Sequence, residues 1–64
     1  MYGIIEDGRK FEVVRTGDDV VSILITEKGD SSPCSRLDYP TWDKAFADAE
    51  MSWGPMAWIE YDAN

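Results

Sequence analysis

The side chains that most often perform chemistry in proteins are scarce in this chain. Its 64 residues include no histidine and a single cysteine, Cys34, so a cysteine–histidine pair cannot be assembled. Ser31, Ser32 and Ser35 lack a histidine base for the same reason, and all three lysines lie in polar stretches where a buried, activated amine is not expected. We therefore expect Cys34 to be an incidental loop residue and the protein to be non-enzymatic.

Carboxylates are the one abundant functional group. Paired carboxylates can act as general acid and base when one lies in an apolar pocket, and the available pairs are Asp43 with Glu50 and Glu60 with Asp62. A chain this short has little interior volume for such a pocket. The spaced oxygen ligands of a calcium loop and the glycine pattern of a phosphate loop are both missing from the sequence. We expect no catalytic site, no metal and no other cofactor.

The charge balance predicts the kind of partner. Thirteen acidic and six basic side chains give a net charge of −7, which disfavours free nucleic acid and anionic membranes and favours basic proteins. The acidic residues are concentrated at predicted strand ends and turns, and on one flank of a predicted helix. Those taken as candidate partner contacts are Asp18, Asp19, Glu27, Asp30, Asp43 and Glu50. A surface that serves solubility alone and a surface that binds a partner both remain open.

Length and composition indicate one domain spanning residues 1–64. A hydrophobic content of 44% is too high for a disordered chain. A lone cysteine and the lack of a recognisable signal peptide predict a reducing, cytoplasmic location. Apolar runs of three or four residues are too short to span a membrane.

The first half of the chain predicts three antiparallel strands. Tyr2 to Glu6 and Arg9 to Arg15 flank Asp7-Gly8, a dipeptide typical of two-residue hairpin turns because both positions tolerate positive φ. This turn predicts the facing pairs Ile4 with Phe11, Tyr2 with Val13, and Glu6 with Arg9.

The third strand, Val20 to Glu27, is the most β-branched segment. A three-residue loop over Gly17 to Asp19 would turn Val21, Ile23 and Ile25 inward. A two- or four-residue loop would instead turn Val20, Ser22 and Leu24 inward, and we favour the first register because it buries more apolar surface.

Lys28 to Pro40 has no hydrophobic periodicity and is predicted to be a loop of about a dozen residues. It carries four side chains that a partner could reach, namely Asp30, Arg36, Asp38 and Tyr39.

Thr41 can cap a helix from Trp42 to about Ser52 that ends before Gly54-Pro55. The predicted buried stripe of this helix comprises Trp42, Ala45, Phe46, Ala49 and Trp53.

Met56 to Asp62 alternates as a last strand, with Ala57, Ile59 and Tyr61 on one face. The result is a β-β-β-α-β domain of the α+β class, an antiparallel sheet with one helix packed on one face. In this register Trp58 lies on the outer face with Met56, beside Ile5, Val14 and Leu24, as an apolar contact site. The alternative is that the register is inverted and Trp58 belongs to the core.

A compact, strongly acidic α+β domain of this size resembles the small phage-encoded anti-CRISPR proteins and related DNA-mimic inhibitors. The resemblance covers the whole chain and concerns size, charge and layout rather than a motif. It implies a stoichiometric inhibitor that occupies the DNA-binding groove of a CRISPR surveillance complex, such as one of type I, in the cytoplasm of the phage's host. The acidic clusters would pair with groove lysines and arginines, while Trp58 would supply an apolar anchor.

The alternative is a small interaction module, either a homodimer or an accessory subunit of a phage or bacterial complex, that uses the Trp58 face. Such an association would persist at high salt because apolar contacts are not screened.

Overall fold

The computed structural model describes residues 1–60 as a five-stranded antiparallel sheet with one helix. The strands are β1 (Tyr2–Glu6), β2 (Arg9–Gly17), β3 (Val20–Thr26), β4 (Ser35–Tyr39) and β5 (Ile59–Glu60), and the helix is α1 (Trp42–Trp53). The spatial order is β4-β3-β2-β1-β5. The predicted α+β class and the predicted order β-β-β-α-β are confirmed, with β4 as an additional strand between β3 and α1.

The first hairpin has the predicted turn and register. Asp7 and Gly8 both have positive φ, 53° and 81°, as a two-residue turn that matches the twist of the strands requires. Ile4 faces Phe11, and the other two predicted pairs are also present.

The second hairpin has the predicted register but not the predicted loop. The turn is only Asp18 and Asp19, and Gly17 pairs with Val20. A two-residue turn alone would invert β3, but the register shifts between Arg15 and Gly17, so Thr16 forms a bulge that restores it. Three side chains of β3 consequently face the helix: Val21, Ile23 and Ile25.

The segment predicted as a long loop contains the edge strand β4, and this prediction was wrong over Ser35–Tyr39. The chain turns after β3 with a hydrogen bond from the Asp30 amide to the Glu27 carbonyl (3.0 Å). It rejoins the sheet where the Cys34 amide donates to the Ile25 carbonyl (2.8 Å). The strand was missed because an edge strand that is mostly exposed needs no apolar periodicity.

Helix α1 begins and is oriented as predicted. Thr41 is its N-cap, and its hydroxyl accepts a hydrogen bond from the Lys44 amide (3.2 Å). The helix ends at Trp53, one residue beyond the predicted end at about Ser52, and Gly54 follows as its C-cap with φ 80°. Ala45 and Ala49 are fully buried, and their small size lets the helix approach the sheet closely.

The core lies between α1 and the sheet. It is formed by Phe11, Val13, Val21, Ile23, Ile25, Ala45 and Ala49. Aromatic rings close its margins: Tyr2 packs edge-on against Phe46 with centroids 5.0 Å apart, and Phe11 packs against Trp53, also at 5.0 Å.

The last strand has the opposite orientation to the predicted one. Gly3 pairs with Ile59 and Tyr2 pairs with Glu60, so Ile59 lies on the face away from the helix. Trp58 lies on the helix side, with its ring 5.6 Å from that of Phe46. The prediction that Trp58 and Met56 lie on the outer face is therefore wrong. The alternative, in which Trp58 belongs to the core, is the one observed. Tyr61 and Asp62 lie outside the described residues.

Candidate interaction surfaces

The predicted contact residues lie at two opposite ends of the domain. Because the strands are antiparallel, the β2–β3 turn, the start of α1 and Glu60 share one end, here called the Asp18 end. Its acidic residues are Asp18, Asp19, Asp43 and Glu60. The β1–β2 turn, the β3–β4 turn and the last turn of α1 share the other, called the Asp30 end. Its acidic residues are Glu6, Asp7, Glu27, Asp30 and Glu50.

Aromatic contacts fix this division. Tyr2 and Trp42 meet near the Asp18 end with centroids 5.6 Å apart, whereas Phe11 and Trp53 meet toward the Asp30 end. A nine-residue strand such as β2 extends about 30 Å. The six predicted acidic contacts thus form two groups of three, and Trp58 belongs to neither because it packs in the core margin.

The carboxylates at both ends are exposed and have no basic partner within residues 1–60. Two ion pairs are found within residues 1–60, Lys10 with Glu12 (3.8 Å) and Arg36 with Asp38 (2.8 Å). Both pairs are on the sheet surface that faces away from α1. Apart from these four side chains, residues 1–60 hold ten carboxylates and four basic groups, so the excess negative charge lies at the ends and around the helix.

We call the sheet surface opposite α1 the open face. Its side chains, read from the strand registers, are Ile5, Lys10, Glu12, Val14, Thr16, Ser22, Leu24, Thr26, Arg36, Asp38 and Ile59. Its two basic and two acidic side chains give this face no net charge, whereas the rest of the surface is negative.

A closed ring of hydrogen bonds occupies the β4 side of the open face. Ser22 is fully buried and donates to Asp38 Oδ1 (2.6 Å), so its hydroxyl must accept from Thr16 (2.7 Å). Arg36 Nη2 donates to Thr16 (3.3 Å), and Arg36 Nε donates to Asp38 (2.8 Å). The hydrogen bonds from Arg36 and Ser22 hold the pKa of Asp38 below its usual value. The ring fixes β4 against β3 and β2.

The β1 side of the open face is apolar. Ile5 is 72% exposed and Ile59 is 66% exposed. Together with Gly3, Ala57 and the Lys10 stem they line an open depression of about 620 Å³. Gly3 itself is buried, so the exposed apolar surface of the depression comes from the two isoleucines.

The positions with potential for chemistry are occupied by structural contacts. Cys34 is exposed, and its thiol donates to the Ile25 carbonyl (3.3 Å). The Tyr39 hydroxyl donates to Asp48, and burial together with that carboxylate raises the pKa of Tyr39 to about 12. A hydrogen bond to Glu60 raises the pKa of Tyr2. Within residues 1–60, no group of three acidic or cysteine side chains could hold a metal ion.

Sequence reasoning missed two features of this surface. The polar ring depends on β4, which was predicted to be a loop, although the hydroxyls of Thr16 and Ser22 were visible as polar positions in β-rich segments. The exposed Ile59 was assigned inward because the alternation of the last strand does not indicate which of its faces meets the helix.

Comparison of this chain with protein-family models, curated proteins and solved structures found no match in any of the three sets. The described part of the chain contains no helix long and apolar enough to cross a membrane.

Proposed function

We propose that the protein is a non-enzymatic inhibitor that binds a basic, nucleic-acid-binding protein through its acidic ends and competes with nucleic acid there. The observation that carries this proposal is the set of exposed carboxylates at the two ends, which have no basic partner within residues 1–60. Unpaired surface carboxylates keep their full attraction for an incoming cationic surface, and they accelerate encounter by electrostatic steering.

The separation of the two ends supports contact with an extended basic surface. Asp43 and Glu50 are seven residues apart on α1, about 10.5 Å along its axis, so the helix carries carboxylates from one end toward the other. A groove that holds nucleic acid presents lysines and arginines over a comparable length.

The specific form of the proposal follows the resemblance to anti-CRISPR and DNA-mimic proteins. The partner would be a CRISPR surveillance complex, such as one of type I, and the acidic ends would contact the residues that receive target DNA. Trp58 packs against Phe46 at the core margin, apart from both acidic ends, so this proposal does not use it as the apolar anchor.

The test is capture from bacterial lysate followed by competition with a DNA duplex. We expect the immobilised protein to retain a nucleic-acid-binding protein that is released both by added duplex and by high salt. The same basic groups of the partner would bind either the carboxylates of this protein or the phosphates of the duplex. Two neutralised variants, Asp18→Asn with Asp19→Asn and Glu27→Gln with Asp30→Asn, report which end makes the contact. Asn tolerates the positive φ of Asp19 (57°), so the turn is preserved.

A control variant, Glu12→Gln, changes charge on the open face and should leave capture unchanged. Retention that resists both duplex and salt, or that is undiminished when the four carboxylates of the two variants are neutralised together, would contradict competition with nucleic acid.

A second candidate function is a small interaction module. The observation that favours it is the pair of exposed isoleucines, Ile5 and Ile59, beside one another on the open face. Under this function Ile5→Ser would abolish partner binding, whereas neutralising the acidic ends would not.

A further inference from the structure

We propose that the outer edge of β4 pairs with the same edge of a second copy of this chain, so that the two sheets become one continuous sheet. This dimer is independent of the basic partner proposed above, because both acidic ends lie outside the contact. It rests on the exposure of β4, on the symmetric order of its side chains and on the position of α1 beside it.

Strand β4 forms an exposed edge of the sheet. It is the first strand in the order β4-β3-β2-β1-β5, so within residues 1–60 it pairs only with β3. Its first four residues, Ser35 to Asp38, are all exposed. Alternate residues of an antiparallel strand direct their backbone N–H and C=O groups to the same side, so every second residue of β4 presents these groups away from β3. At the opposite edge only two residues of β5 are paired, which offers a shorter template.

The sequence of β4 is complementary to itself about Leu37. When two copies pair antiparallel with Leu37 on the twofold axis, Leu37 faces its own equivalent and Arg36 of each copy faces Asp38 of the other. Side chains that face each other in this way have Cβ atoms about 5 Å apart, so both opposite-charge pairs can form. A pairing centred on Arg36 or on Asp38 would instead oppose like charges. The charges of β4 therefore select the register centred on Leu37.

The atoms that these charge pairs require are unused in one copy. In the polar ring Asp38 accepts at Oδ1 from both Ser22 and Arg36. Arg36 donates from Nε and Nη2. Asp38 Oδ2 and Arg36 Nη1 have no hydrogen bond within residues 1–60, and the two side chains are 55% and 54% exposed. The ring thus holds both groups in position for a second copy.

Helix α1 extends the contact beyond the strand edge. Its main strand contacts are with β3 and β4, so it lies toward the β4 side of the domain. Antiparallel pairing of β4 with its copy keeps both helices on the same side of the joined sheet. The two helices are then roughly two strand spacings apart, about 10 Å, which is a distance at which helices pack.

Exposed apolar side chains lie where this contact would cover them. The Tyr39 hydroxyl donates to Asp48, so Asp48 marks the β4 side of α1. Met51, three residues later, lies on the same side and is 86% exposed. Leu37 points toward the helix layer beside Ile23 but remains 40% exposed in one copy.

Charge and area are both consistent with a weak dimer. On the β4 side Arg36 and Lys44 balance Asp38 and Asp48, so two copies of a chain with net charge −7 can meet there without opposing net charge. The domain measures 31 × 26 × 20 Å, and one of its six sides carries about a sixth of its 4379 Å² surface, so up to roughly 700 Å² per copy can be covered, against about 800 Å² in stable interfaces. Backbone hydrogen bonds between the paired edges add affinity.

The first experiment is sedimentation equilibrium at physiological salt, from roughly 10 µM to 1 mM protein. We expect the average mass to rise from 7.3 kDa toward twice that value. A mass that stays at 7.3 kDa throughout, including the case in which a strand of a different protein covers β4, would overturn the proposal.

The second experiment tests the register at Leu37, the position on the twofold axis. Leu37→Lys opposes two ammonium groups and Leu37→Glu opposes two carboxylates, so each variant alone should self-associate about tenfold more weakly. An equimolar mixture brings opposite charges together on the axis, and mixed dimers should form with affinity close to that of the original chain. Because Leu37 is 40% exposed, either charged group can reach solvent in the monomer, and circular dichroism verifies folding.

Ala47→Lys and Ala47→Glu are the matched controls. Ala47 is exposed and lies two residues from each of the buried Ala45 and Ala49, on the side of α1 that faces away from the sheet. Each control should self-associate as the original chain does, and mixing the two should not strengthen association. If the two Leu37 variants do not recover association when mixed, or if the Ala47 variants are weakened equally, pairing of β4 about Leu37 is wrong even if a dimer exists.

Discussion

The two faces of the sheet differ in how they obtain their stability. The face covered by α1 is a core of aliphatic and aromatic side chains, in which Ile23 and Val13 are fully buried. The open face contains both ion pairs of the described chain and the hydroxyl–carboxylate–guanidinium ring. One face depends on burial and the other on polar contacts, although the same strands supply alternate residues to each.

Because of this difference, we expect substitutions on the two faces to have different effects. Substitution on the covered face should change the free energy of unfolding, whereas substitution at the apolar side of the open face should change association with little effect on folding. The polar ring lies between these extremes, because its central hydroxyl is buried while Arg36 and Asp38 are exposed.

The largest expected effect is on the covered face. Ile23→Ala removes a fully buried side chain beneath α1 and should destabilise the fold by about 3 kcal/mol, a large share of what so small a domain has. Ile5→Ala, at a position 72% exposed, should cost less than about 0.5 kcal/mol. Urea unfolding followed by tryptophan fluorescence, at dilute protein, compares the two. Equal losses would mean that the open face is not free in the monomer.

Ser22→Ala tests the polar ring. Removal of this buried hydroxyl should cost about 1 kcal/mol, because Thr16 loses its acceptor and Asp38 loses a donor. Asp38 has a lowered folded pKa, so its contribution is present above its unfolded pKa and is lost as the pH falls through the folded value. NMR titration should therefore show the Asp38 pKa rising in the variant. Ser35→Ala, at an exposed serine of β4, is the control and should leave that pKa in place.

The elements that the sequence predicts well are those in which local chemistry and burial agree. The Asp7-Gly8 turn, the Thr41 cap and the alanine-containing stripe of α1 each combine a specific backbone requirement with an apolar pattern. The register of β3 was also predicted, although for the wrong loop length, because burial of its β-branched side chains forces the bulge at Thr16 that compensates for the shorter turn.

The elements that the sequence predicts poorly are the two edge strands. Strand β4 is almost wholly exposed, so no hydrophobic pattern marks it. Only two residues of β5 are paired, and the orientation of Trp58 depends on contact with Phe46, 12 residues earlier in the chain. The candidate surfaces were also predicted only in part. The acidic residues are visible in the sequence, but their division between two ends and the charge balance of the open face become apparent only from the strand order and registers.

Tyr39→Phe tests the contact that joins β4 to α1 across the covered side. Loss of the hydrogen bond to Asp48 should cost about 1 kcal/mol near neutral pH. The folded pKa of Tyr39 is raised to about 12, above the ordinary value of 10.0, so its protonation contributes stability below pH 10 that is lost as the pH rises toward 12. Thermal unfolding at pH 7 and across this alkaline range should show a shallower decline for the variant. An identical slope would exclude Tyr39 as a source of the alkaline destabilisation.

The smallest expected effect concerns charge, and it distinguishes the acidic ends from the open face. Asp18→Asn with Asp19→Asn relieves repulsion among unpaired carboxylates and should stabilise the fold by a few tenths of a kcal/mol at low salt. The gain should vanish in high salt, where the repulsion is already screened. Glu12→Gln removes the same kind of charge from a balanced pair, so it should not stabilise the fold at any salt concentration. If Glu12→Gln stabilises the fold as much as the Asp18 and Asp19 changes do, net charge alone sets the electrostatics, and the arrangement of charges on the two regions has no separate consequence.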